Sequence, residues 1–135
     1  MPQSHSWPLK DASTMTLAST PVSIGVARTQ VAQLCERGGM QSLAETAALL
    51  VSELVTNAVM HGRGDITLSV HCADSQLIVG VGDQSTDPPV IDPHPSIDQL
   101  GGRGLFLVDT LASSWDYQIA AGGKTVWFCL DGQNH

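Results

Sequence analysis

The sequence predicts an α/β protein, a two-layer sandwich with a mixed, mostly antiparallel sheet and three helices on one face. Two observations carry this. Apolar residues recur with helical spacing between about residues 22 and 62, and with strand-like alternation before and after. The segments run strand, helix, helix, strand, strand, loop, helix, strand, strand. Helices grouped in this way favour a sandwich over a doubly wound parallel sheet, where they would alternate singly with strands.

Residues 1–13 are polar, contain prolines and read as a flexible tail, so a single domain is expected over 14–135. Met15 and Leu17 alternate with threonines in TMTLAST, a short strand at a sheet edge. Thr20-Pro21 reads as an N-cap followed by proline in the first helical turn. Val22, Val26, Val31 and Leu34 continue one helical face until Gly38-Gly39 stop it. Ser42 with Glu45 three residues later has the form of a capping box for a second helix, which ends at Gly62.

After Gly64 the period changes to two. Ile66, Leu68 and Val70 mark a half-buried strand, Asp74-Ser75 a turn, and Leu77, Ile78, Val79 and Val81 a more apolar, central strand. Residues 84–104 lose all periodicity, with prolines at 88, 89, 93 and 95 and glycines at 101, 102 and 104. An irregular stretch of this length in a compact domain suggests a functional lid. LFLVDTLASSW then reads as a third helix, and YQIA and TVWFCL as two strands joined at Gly122-Gly123.

Composition narrows the function. An apolar fraction of 42% supports a packed core, and a formal charge of −7 opposes general nucleic-acid binding, which needs a basic face. No uninterrupted apolar run approaches the ~20 residues that span a bilayer, and the N-terminus lacks a signal-peptide core, so a cytoplasmic protein without membrane contact is expected. Cys35, Cys72 and Cys129 are odd in number and far apart, unlike a disulfide framework or a zinc site.

Three places could carry chemistry. Glu53 and Asn57 are one turn apart on the margin of the apolar arc of the second helix, with His61 a turn further on. Such a pair can hold a hard cation or position a proton acceptor; equally, it can be an exposed Glu and an Asn making local bonds. Asp83 ends a buried strand, where a carboxylate can accept a hydrogen bond from an exocyclic amine or close an Asx turn. Gly101, Gly102, Arg103 and Gly104 open a helix, an arrangement suited to an anion.

Taken together, ELVTNAVMHG (53–62), VGDQSTDPP (81–89), GGRGLFLVDTLASSWDY (101–117) and GKTVWFCL (123–130) resemble the GHKL, or histidine kinase-like, ATP-binding fold. They are most similar to its small bacterial branch, the anti-sigma-factor serine kinases. The resemblance implies ATP with Mg2+ as the cofactor. It implies Glu53 as the acidic residue that orients or deprotonates the attacking hydroxyl, and Asn57 as the magnesium ligand. His61 and Gly62 would close the same motif, and Asp83 would bond the adenine amine. Gly101, Gly102, Arg103, Gly104 and Leu105 would wrap the phosphates, and Thr125 would place a hydroxyl near the adenine. The wider family pattern after the adenine Asp is D-x-G-x-G, and Gln84 to Pro89 contain no glycine.

Two functions follow from the resemblance. One is a serine/threonine kinase that phosphorylates a small anti-sigma-factor antagonist and sequesters a sigma factor; the other is a partner-sequestering module without turnover. A homodimer and protein partners are expected, and direct nucleic-acid contact is not.

Overall fold

A computed structural model of the chain describes residues 12–89 and 104–132. Residues 1–11 of the expected tail, most of the expected lid, and Gly101, Gly102 and Arg103 lie outside the described residues, while Ser13, expected in the tail, begins the first strand. The elements follow in the expected order: β1 (Ser13–Leu17), α1 (Val22–Arg37), α2 (Gln41–His61), β2 (Ile66–Ala73), β3 (Gln76–Asp83), α3 (Gly104–Leu111), β4 (Ser114–Ala120) and β5 (Gly123–Asp131). The strands form one sheet in the order β1-β2-β3-β5-β4. Every pairing between neighbours in it is antiparallel. The apolar strand β3 is central, as its composition predicts, and β1 is an edge.

Alternation along the strands divides the sheet into two faces. Leu68, Val70, Leu77, Val79, Val81, Val126 and Phe128 point to one face and form a single core with Leu50, Val51, Leu54 and Val55 of α2 and Val31 of α1. Phe128 is fully buried at its centre. The other face holds a small separate cluster of Ile78, Trp127 and Cys129. There Trp127 lies flat on Gly80: a Cβ on residue 80 would collide with the indole ring. Glycine at 80 is therefore what lets the ring lie on the sheet.

α1 ends as its glycines predict. Gly39 takes a left-handed φ of 74°. Its N–H bonds the Glu36 carbonyl at 3.3 Å, and the Met40 N–H bonds the Cys35 carbonyl at 2.7 Å. These two bonds are a Schellman motif, and Met40 is buried beside it. The N-termini differ from expectation. α1 starts after Pro21 and α2 after Met40, neither with a side-chain cap, so Ser42 lies inside the first turn of α2 rather than capping it. The close of α1 delivers the chain directly into α2 and leaves no room for an Ser42 cap.

α3 is also shorter than the apolar run suggests. It stops at Leu111 because Ser114 and Trp115 pair with Cys129 and Phe128 across the β4–β5 ladder. The Trp115 indole N–H still reaches back to Asp109 Oδ1 of α3 at 2.9 Å.

α2 is long enough and apolar enough on average to meet the length and composition test for a membrane span. In the fold it is the core helix: Ala47, Leu50, Val51, Leu54, Val55 and Ala58 are buried, while Glu45 is exposed and Glu53 half-buried on its outer side.

Candidate nucleotide site

The C-terminal end of α2 meets the ends of β3 and β5. Glu53, Asn57 and His61 follow one another at one-turn intervals on α2, about 6 Å apart along the axis. Glu53 and Asn57 are half-buried and His61 is exposed. Asn57 Oδ1 is buried and accepts no hydrogen bond among the described residues. A buried carboxamide oxygen is normally satisfied, so one left without a donor fits an acceptor held for a cation.

Gly62 caps α2 through its N–H, bonded to the Ala58 carbonyl at 3.0 Å. Its bare α-carbon faces the carboxylate of Asp83. A Cβ there would lie 2.7 Å from Asp83 Cγ and Oδ2, so glycine lets the helix end rest on the strand end.

Asp83 is 9% exposed. Its Oδ1 accepts the Ser85 N–H at 2.7 Å, the Asx turn that a strand-end Asp favours. Its Oδ2 lies 3.6 Å from Lys124 Nζ, and both side chains are largely buried. The two readings of Asp83 are thus compatible: one oxygen shapes the turn, and the other is presented beside Gly62. The chain beyond the turn is held as well, by the Gln84 N–H on the Arg63 carbonyl at 2.7 Å and the Asp87 N–H on Ser85 Oγ at 3.1 Å.

Register separates one expected residue from the rest. Asp83 pairs with Lys124, and Gly82 with Thr125. Asp83 and Lys124 therefore share the helix-covered face, while Thr125 shares the opposite face with Gly82 and Trp127. The Thr125 hydroxyl lies 2.9 Å from where a Cβ on Gly82 would be. It lines a groove of about 620 Å³ with Thr14, Thr67, Gln118 and Trp127, and Asp83 and Lys124 reach the rim of the same groove from the strand ends. None of Glu53, Asn57, His61 or Gly62 lines that groove. The side chain of β5 that reaches Asp83 is Lys124. In the sequence Lys124 is one of only six basic residues; its place opposite Asp83 needs the strand register.

Leu105 is buried in the first turn of α3 and joins the core through its side chain, so any contact with a phosphate would be made by its backbone. Gly104 begins α3. Among the described residues no cluster of three or more His, Cys, Asp or Glu could hold a metal by itself. Such a site suits an ion that takes one protein ligand and fills its shell with phosphate oxygens and water, which is the habit of magnesium.

The described architecture and this corner of it define a class, a helix-backed antiparallel sheet with a polar site where the core helix ends. The model of the histidine kinase-like ATPase domain matches residues 17–130, and the chain belongs to that family. Among individual proteins it is similar to the serine-protein kinase RsbW of Listeria innocua, 28% identical over 120 residues that cover 76% of each chain. It is also similar to the protein of that name from Bacillus licheniformis, 27% identical over 126 residues, 80% of this chain and 78% of that one. Among solved structures it resembles the RsbU and RsbW domains of a Mycobacterium tuberculosis protein. The TM-score is 0.63 at 19% identity, covering 93% of this chain and 34% of that one. The histidine kinase domain of an Erythrobacter litoralis blue-light-activated kinase gives a TM-score of 0.52 at 23% identity, covering 84% of this chain and 61% of that one. The two structural likenesses bear on the fold.

Proposed function

We propose that the protein is an ATP-dependent protein serine/threonine kinase of the anti-sigma-factor type, with a small antagonist protein as phosphoacceptor and a sigma factor as the partner it holds. The observation that carries this reading is the buried, donorless Oδ1 of Asn57, one turn beyond Glu53 on the helix whose end rests on Asp83 through Gly62. The family membership and the RsbW relatives support the same reading.

In this reading Asp83 Oδ2 accepts a hydrogen bond from the adenine amine, and the Asx turn keeps the carboxylate from rotating away. Asn57 Oδ1 is the protein ligand for magnesium, which when bound neutralises phosphate charge. Glu53 accepts the proton of the incoming seryl hydroxyl as its oxygen bonds the γ-phosphorus and the bond from that phosphorus to the bridging oxygen breaks. Gly101, Gly102, Arg103 and Gly104 supply N–H donors and a cation to the phosphates, which is the main protein contribution to a loose phosphoryl transfer. His61 stands at the phosphate side of the helix end as a supporting residue. Binding of protein partners, a homodimer and a cytoplasmic location belong to the same proposal.

The test is transfer of labelled γ-phosphate from ATP to candidate antagonist proteins, with ATP binding followed separately by calorimetry. Glu53→Ala is expected to bind ATP and lose transfer by about 100-fold or more, the range of a positioned proton acceptor. ATP binding without transfer to any antagonist, in the parent protein, would instead favour a sequestering module without turnover.

A further inference from the structure

The ion pair between Lys124 and Asp83 adds a property to this site that Asp83 alone would lack. We infer that Lys124 is a specificity-determining residue that widens base recognition, so that the site takes GTP as well as ATP. The inference rests on the nucleotide-binding reading above.

A lone buried carboxylate discriminates between purines by chemistry. Adenine presents an amine donor at position 6, which the carboxylate accepts. Guanine presents a carbonyl oxygen there, so two acceptors would face each other in a dry site, and the unmatched pair costs about tenfold or more in affinity. At this site the opposing strand supplies a donor. Register places Lys124 directly across from Asp83 on the same face, and Nζ lies 3.6 Å from Oδ2. The ammonium carries three N–H donors and no acceptor. With guanine, one of these donates to O6 while the carboxylate accepts from the neighbouring N1–H. With adenine, the carboxylate accepts from the amine while the ammonium donates to N1. Donor and acceptor are reversed along the two purine edges, so with the carboxylate held in place guanine binds displaced along its edge relative to adenine, its N1–H taking the place of the adenine amine.

The geometry keeps the pair in place. Asp83 Oδ1 is tied by the Ser85 N–H, so the carboxylate cannot swing to follow Lys124 out of the site. The Lys124 side chain is only 14% exposed, so its ammonium is not free to leave the pair for bulk water. No other cationic side chain among the described residues is ion-paired to Asp83.

The experiment is competitive binding of ATP and GTP, each with magnesium, to the full chain and to Lys124→Met and Lys124→Arg. The folded state of each variant is checked by circular dichroism and thermal melting. The parent is expected to prefer ATP by less than about tenfold, since a satisfied guanine edge avoids the penalty of an unpaired acceptor. Lys124→Met is expected to raise that preference at least about tenfold, the equivalent of one lost hydrogen bond of 1.4 kcal/mol. Lys124→Arg retains a donor and is expected to stay near the parent ratio. A merely structural lysine would change both affinities together and leave the ratio alone, and that result overturns the inference. A parent that binds ATP and prefers it more than about tenfold overturns it too, with the nucleotide reading intact. A parent that binds neither nucleotide removes both.

Discussion

At Gly62 a single hydrogen atom decides whether the nucleotide corner closes. A methyl group there would stand 2.6 Å from the Ala58 carbonyl oxygen and 2.7 Å from Asp83 Cγ, with backbone on one side and a tethered carboxylate on the other. Gly62→Ala is therefore expected to cost about 1–3 kcal/mol of stability, as overpacking does, measured by urea denaturation. The same variant should weaken ATP by moving Asp83. Asp83→Asn should do so without the packing cost, and a loss of about 10- to 100-fold is expected from a hydrogen bond to a charged acceptor. Calorimetry checks both, and an Asp83→Asn protein that binds ATP like the parent would remove Asp83 from base recognition.

Among the elements, α2 bears the most on function, because the stripe that packs on the sheet and the margin that carries Glu53 and Asn57 belong to one helix. Asn57 is a place where stability and function pull apart. Its Oδ1 is buried with no donor among the described residues, and a buried unsatisfied acceptor destabilises the fold. Asn57→Leu is expected to raise the midpoint of thermal unfolding by a few degrees in the absence of ligand, while abolishing the dependence of ATP binding on magnesium. Differential scanning calorimetry and a magnesium titration read the two effects.

Much of this arrangement of elements is legible in the sequence. The order of elements, the central place of β3 and the glycine stop of α1 all follow from periodicity and turn residues, because each is local. The capping box at Ser42 fails because the Schellman motif ending α1 hands the chain to α2 at once. The end of α3 is overread because apolar LFLV and the following Ser113-Ser114-Trp115 cannot be divided without knowing that Trp115 pairs with Phe128. Of the proposed site, the one-turn spacing of Glu53 and Asn57 and the strand end at Asp83 are legible in the sequence. Lys124 is not, since shifting a strand by one residue exchanges its faces, and Thr125 is the nearer match by sequence alone.

For the whole molecule, the cysteines give a pH dependence with a definite sign. Burial raises the Cys35 thiol from 9.0 to about 11, with the nearby Cys72 thiol and Glu36 acting in the same direction. Burial likewise raises Cys129 to about 11, helped by Asp131. The folded state thus disfavours the thiolate relative to the unfolded chain. Its contribution is complete below pH 9 and is lost as pH rises towards 11, by about 2 kcal/mol per thiol at the upper end. Unfolding free energies at pH 8 and pH 10.5 should show the fall, and Cys35→Ala and Cys129→Ala should each reduce it. At pH 7.5 a thiol reagent should label half-buried Cys72 ahead of both, since reactivity needs exposure and thiolate.

The two described indoles see different surroundings, and that gives the protein an optical readout of its own. Trp127, 2% exposed on the bare α-carbon of Gly80, sits three residues along β5 from Lys124 and should emit at short wavelength with little quenching by iodide. Trp115 is tied through its ring nitrogen to Asp109, in the helix that begins at Gly104. Any shift of α3 that accompanies phosphate binding would stretch that bond and change the colour of one lamp while the other stays constant. A protein carrying Trp7→Phe and Trp127→Phe would isolate the responsive signal, so nucleotide arrival could be timed by stopped flow without attaching a dye.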